Sequence, residues 1–149
     1  MFWLFRKDRR GFTLIEMLIV VVVIAVIAAI VVPRLLGAGR KSKEAALKSQ
    51  LQQLRSAIQR FEADCGAYPA ALTDIMATSA PASGLDQNGN TVTINPADYM
   101  GPYLTTPDGK LPVDPVTGSA DWTYNVTTPG FIHPSATGVG LDGTAYNTW

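Results

Sequence analysis

The stretch RKDRRGFTLIEMLIVVVVIAVIAAIVVPR, from Arg6 to Arg34, decides the architecture of this chain. From Met17 to Val32 it carries sixteen residues with no charge and no strong polar group. Taken from Phe12 to Pro33 the window is twenty-two residues long, and Glu16 is its one charge. At about 1.5 Å per residue a helix of that length spans roughly 33 Å, which matches a bilayer core of about 30 Å. A helix apolar on every side must lie in lipid or among other helices. Val and Ile are weak helix formers in water, but in lipid a helix has the advantage of satisfying its own backbone.

The flanks set the orientation. Arg6, Lys7, Arg9 and Arg10 against Asp8 leave a net charge of +3 before the segment. The positive-inside rule keeps that end cytoplasmic and sends the rest across. A secretory signal peptide shares the basic front and apolar middle, but its core is only about 7–15 residues long. Here the apolar run is longer and continues into an amphipathic helix, with no small-residue cleavage site and loop behind it. Glu16 is expensive in this setting, since a carboxylate near the membrane interior costs about 2.5–3.5 kcal/mol. It either snorkels to the interface or pairs with a group on a neighbouring copy. The obvious partner is a free amine on Phe12, available if the chain is cut just before it.

Residues Arg9 to Pro33, RRGFTLIEMLIVVVVIAVIAAIVVP, closely resemble the type IV prepilin family, which includes the pseudopilins of type II secretion. The resemblance rests on the basic leader, Gly11, Phe12, Glu16 five residues into the mature chain, and Pro33 within the helix. It implies that a prepilin peptidase cuts between Gly11 and Phe12 and methylates the new Phe12 amine. It also implies that Glu16 neutralises the Phe12 amine of the adjacent subunit during assembly, a partner present only in the filament. The leader start MFWLF is more apolar than the family's usual leader, while the Gly11–Phe12 junction is intact.

Four segments follow: 1–11 a cleaved leader, 12–33 a transmembrane helix, 34–65 an amphipathic helix, and 66–149 a small C-terminal α+β head. Leu47, Leu51, Leu54, Ile58 and Phe61 step by four, three, four and three, one apolar stripe of a helix. That stripe is expected to form core against the chain's own sheet. Gly66 is the stop signal, followed by the turn GAYP. Pro33 removes a backbone donor and is expected to bend or locally melt the helix, with Gly37 and Gly39 weakening it further. One long, imperfect helix from about Phe12 to Asp64 results.

The zero net charge conceals an asymmetry. Arg34 to Arg60 holds seven basic residues and one acid, Glu44; from Phe61 onward there are nine acids and one basic residue, Lys110. A basic stem suits anionic lipid head groups, the acidic head of a neighbouring copy, or a plain solvated face. Nucleic acid is not expected, because the basic residues lack interleaved aromatics.

In the head, PAALTDIMA predicts a short helix with Leu72, Ile75 and Met76 inward. GLDQNGNTVTIN predicts a hairpin or loop tip with NGN as its turn. GPYL, LPVDPVTG, DWTYNV and GFIH predict short strands joined by proline turns, forming a small antiparallel sheet. If no metal orders the loops, Trp122, Tyr124 and Phe131 are expected to pack on the helix stripe of Leu51, Leu54 and Ile58. Tyr68-Pro69, GPYL, LPVDP, Gly118, Trp122 and Tyr124 resemble the major pseudopilin branch of the family. The chain departs from that branch at Val116-Thr117-Gly118, where the branch has tryptophan-glycine, and in the extra SAD. Overall the resemblance implies an α+β pilin-like fold, with a long N-terminal helix on a small antiparallel sheet with long loops.

The lone cysteine, Cys65, permits no internal disulfide, unlike many type IV pilins, and is expected to be a half-buried packing residue. His133 is the single histidine, so no paired-histidine metal site is available, and GVGLDG lacks the strand–helix setting and lysine of a phosphate loop. No cofactor is expected except calcium, which the major pseudopilin branch binds in its C-terminal loops. Asp142 and Asp121 match best by position, with Asp114 a third ligand; turn formation is the plain alternative for all three.

The function implied is a pilus-like filament subunit, a pseudopilin polymerising in the periplasm from the bacterial inner membrane. Its partners would be copies of itself, minor pseudopilins, the prepilin peptidase, the inner-membrane assembly platform with its ATPase, and the bilayer. A surface type IV pilin is the alternative. A membrane-tethered periplasmic enzyme is the reading from another class, and the absent catalytic set counts against it.

Overall fold

The computed structural model describes residues 11–149, apart from the side chains of residues 34–36. The basic leader residues Arg6 to Arg10 lie outside the described residues. One helix, α1, runs over Leu14–Cys65, and Pro33 sits inside it without ending it. Two compact units divide the chain after Arg40. In the first, the apolar face is the whole helix: none of the most apolar eighteen-residue window is buried within the chain. That stretch has a mean hydropathy of 3.3 and is long and apolar enough to cross a membrane.

The second unit, Lys41–Trp149, is built on the stripe. Leu47, Leu51, Leu54, Ile58 and Phe61 are each at most 2% exposed, so the predicted periodicity is the core. Ala57 joins Leu51, Leu54, Ile58 and Phe61 in one cluster that Leu72, Ile75, Ile94 and Ile132 close from the head, while Leu47 packs with Ala136 and Tyr146 in a second. Phe61 meets Tyr99 and Tyr103 edge-on, with ring centroids 6.0 and 5.6 Å away. The helix stops at Gly66, whose φ of +66° and amide bond to the Glu62 carbonyl (2.8 Å) form a left-handed cap. Cys65 is half-buried, as its composition context suggested, and burial pushes its thiol pKa up.

Two small antiparallel sheets, rather than one, pack on this face. The first has β1 (Tyr68–Pro69), β2 (Ser83–Leu85) and β3 (Thr91–Thr93) in that order, with Gly84 opposite both Pro69 and Val92. Gly84 is required there, because a Cβ would stand 2.6 Å from the Tyr68 carbonyl oxygen. The β2–β3 turn is the predicted one: Asp86 accepts from the amides of Asn88 and Asn90, each at 2.8 Å. The second sheet is the hairpin of β4 (Trp122–Asn125) and β5 (Phe131–Pro134), with Tyr124 opposite Ile132.

Two expectations are corrected and one is met. GPYL and LPVDP form no strand; proline supplies no amide for a ladder, and Tyr103 and Leu104 instead donate to the Ile75 carbonyl (2.8 and 3.0 Å). The short helix expected in PAALTDIMA is present, of 3-10 type over Leu72–Met76, with Leu72 and Ile75 buried and Met76 packed against the core. Phe131 faces outward and Ile132 takes the core position, because alternation along β5 puts only one of the two inside.

Tyr124 joins the two sheets: its hydroxyl donates to the Pro69 carbonyl at 2.8 Å. Burial first of all pushes its pKa up to about 12. A raised folded value means the neutral phenol stabilises the fold below the ordinary value of 10, and that contribution is lost as pH rises from there through about 12. Burial raises Tyr99 and Tyr103 as well, so absorbance titration is expected to show several late-ionising tyrosines, one of which Tyr124→Phe removes. Loss of the head's near-ultraviolet dichroism already at pH 10 would contradict it.

Candidate functional site

The N-terminal motif opens α1 through a local hydrogen-bond cycle. Gly11 and Phe12 precede the helix without regular structure, and Phe12 is exposed. Thr13 is the N-cap: its hydroxyl oxygen accepts from the Glu16 amide at 3.2 Å. Glu16 reaches back, and its Oε2 accepts from the Thr13 amide and the Thr13 hydroxyl, each at 3.2 Å. This is a capping box, the reciprocal arrangement of Ser/Thr-x-x-Glu. Glu16 thus has hydrogen-bond partners within its own first turn, in addition to any charge partner on a neighbouring copy. Thr13 escaped the reading, although TLIE before an apolar run is the signature that identifies it.

The expected calcium ligands occupy three different settings. Asp114 is fully buried; its Oδ1 accepts from the amides of Val116 (2.7 Å) and Thr117 (3.3 Å), while its Oδ2 has no partner. Asp121 lies at the mouth of the β4–β5 hairpin, where its carbonyl accepts from the Ser135 amide (3.1 Å). Asp142 sits in the loop between Val139 and Ala145; its Oδ1 accepts from the Thr144 hydroxyl (2.6 Å) and amide (3.0 Å). Its Oδ2 lies 2.9 Å from the Lys48 ammonium. The Thr144 hydroxyl foremost, then Lys48, hold the Asp142 carboxyl well below the usual range. Calcium takes roughly six to eight oxygens. Among the described residues no three of Asp, Glu, His and Cys come together to hold a metal, so Asp114, Asp121 and Asp142 do not form one carboxylate cluster.

Glu44 is a second residue the reading missed. It is 7% exposed, and its carboxylate accepts from the Leu141 amide (3.0 and 3.2 Å) and the Tyr146 hydroxyl (2.9 Å). Its signal was present as the one acid among seven basic residues between Arg34 and Arg60. The basic stem is likewise engaged: Arg55 donates to the Ile132 carbonyl (3.1 Å) and to the Trp149 carbonyl.

A long apolar helix opened by Gly-Phe-Thr-x-x-Glu and carrying a small head on its second half defines a prepilin-type membrane-anchored subunit. The model of the prokaryotic N-terminal methylation motif matches residues 6–32. Type II secretion system core protein G of Aeromonas hydrophila is 30% identical over 146 residues, 94% of this chain and 88% of that protein. The Pseudomonas aeruginosa core protein G is 30% identical over 110 residues, 74% of this chain and 70% of the relative. The match to that of Xanthomonas campestris is 34% over 79 residues, about half of each chain (53% and 55%). No solved structure gives a significant match. The chain belongs to the family of type II secretion system core protein G.

The capping box is directly testable. Thr13→Val removes the cap acceptor and hydroxyl donor, which is worth about 0.5–2 kcal/mol at a helix start. Amide exchange over Ile15 to Leu18 in micelles is expected to speed up, while Thr13→Ser keeps the parent rate. Unchanged exchange in Thr13→Val would show that the box does not hold the first turn.

Proposed function

We infer that this chain is a structural subunit of the pseudopilus, the filament of type II secretion, anchored in the membrane by the first half of α1. Co-linear similarity to core protein G over 94% of the chain carries this reading. The subunit enters the bacterial inner membrane with its basic leader cytoplasmic and its head periplasmic, in accord with the positive-inside rule. A prepilin peptidase cuts between Gly11 and Phe12, and the freed Phe12 amine is methylated. The lack of helical structure at Gly11 and Phe12 suits a bond that a protease must take up in extended form.

Glu16 then works twice. Both Thr13 contacts fall on Oε2, and the carboxylate's other oxygen is the acceptor we assign to the Phe12 amine of the adjacent subunit. Desolvated in lipid, that pairing is strong enough to set register, since an unpartnered charge there costs about 2.5–3.5 kcal/mol. The partners are further copies, minor pseudopilins, and the inner-membrane platform with its ATPase. The role is structural rather than catalytic.

Mass spectrometry of the mature chain is expected to show N-methylated Phe12 as its first residue. Any other start removes the processing step from the proposal. Glu16→Ala is expected to insert at least as well as the parent, because it deletes a costly charge, yet to yield few filaments by shearing and electron microscopy. Filament yield equal to the parent would confine Glu16 to helix capping.

A further inference from the structure

Glu44, Lys48 and Arg55 stand four and seven residues apart on α1, spacings that place them on one helix face. All three reach the chain's last segment, Gly138 to Trp149. Glu44 takes the Leu141 amide and the Tyr146 hydroxyl, Arg55 takes the Trp149 carbonyl, and Lys48 takes the Asp142 carboxylate. The Lys48 ammonium also lies 4.0 Å from the centre of the Trp149 ring, over its face. The ring is packed edge-on against Tyr146, with centroids 4.9 Å apart, and its indole N–H donates to the Thr144 hydroxyl. Gly140 lies under the same ring, where a Cβ would come within 2.5 Å of it.

The family resemblance implies a loop-bound calcium in this region, and Asp114, Asp121 and Asp142 do not form one carboxylate cluster for it. A compact ammonium already occupies the outer oxygen of Asp142, and Thr144 occupies the inner one. We propose that Lys48 is the built-in cation of this loop, so that Gly138–Trp149 is ordered by α1 itself and needs no divalent metal. Lysine suits the role because its ammonium is a point charge with three donors on a flexible stem. It bridges a carboxylate and an aromatic face at once, while Glu44 and Arg55 fix the segment on either side. The inference concerns the head alone and does not depend on the filament reading.

The test uses the full chain in detergent micelles, followed by amide hydrogen exchange and thermal melting. Calcium chloride and a chelator are expected to give wild-type protein the same midpoint and the same exchange at Leu141, Thr144 and Tyr146. Lys48→Gln is expected to speed that exchange about fivefold, the factor carried by one exposed ion pair with a cation–π contact. Lys48→Arg keeps most of the protection, and Lys48→Asp combined with Asp142→Lys recovers part of it, which loss of packing alone would not allow. Slower exchange of the wild-type loop on adding calcium overturns the proposal. So does a parent-like exchange rate in Lys48→Gln.

Discussion

The face of α1 bearing Leu47, Leu51, Leu54, Ile58 and Phe61 is the surface on which the head condenses. The five strands of the head are two to four residues long, far below what stands alone as a sheet in water. Neither sheet brings its own second layer. Each therefore depends on placing a few side chains, Ile94 and Ile132 among them, against the helix. Burying an aliphatic or aromatic side chain is worth about 1.5–3 kcal/mol, so one helical face outweighs what the strands contribute by pairing. The head's dependence on the helix follows from that comparison.

Specificity on that face comes from its polar border. Apolar contact alone would let the glycine-rich C-terminal segment settle in several positions. Glu44 removes that freedom, because a carboxylate at 7% exposure must find donors, and only one placement of Leu141 and Tyr146 supplies them. Lys48 and Arg55 are individually worth less, being more exposed or bonded to neutral carbonyls. Together with Glu44 they fix the segment at several points along three turns of helix.

The long helix, its apolar stripe, its glycine stop and the NGN hairpin were legible because each is a local pattern with one physical solution. A step of four, three, four and three has no other reading, and Gly66 needs only its own φ. The losses were non-local. Whether Phe131 or Ile132 points inward depends on the register of β5 against β4, which no short-range pattern fixes. GPYL and LPVDP looked like strands from their apolar content, but their prolines withhold the amides a ladder needs; Tyr103 and Leu104 bond to the 3-10 turn far back in the chain, and Asp114 bonds to Ser119 just ahead of it. The basic residues of the stem read as a solvated face; that Lys48 and Arg55 meet the last residues, 94 positions on, is a tertiary fact. Thr13 is different in kind. Its signature is fully local, Thr-x-x-Glu ahead of an apolar run, and it is masked by the charge that Glu16 also carries.

A carboxylate bound for lipid needs compensation before any neighbour arrives, and the capping box supplies it from within the first turn. Helix starts also carry roughly half a positive charge, which favours an acid at this end. The cost of keeping Glu16 in a single membrane-bound chain is thereby reduced, without its charge being neutralised. Under the proposed filament reading, the neighbouring amine then acts on a carboxylate already fixed in direction by Thr13. A pre-oriented charge loses less side-chain freedom on pairing than a mobile one, so the same residue that starts the helix would also sharpen the register of assembly.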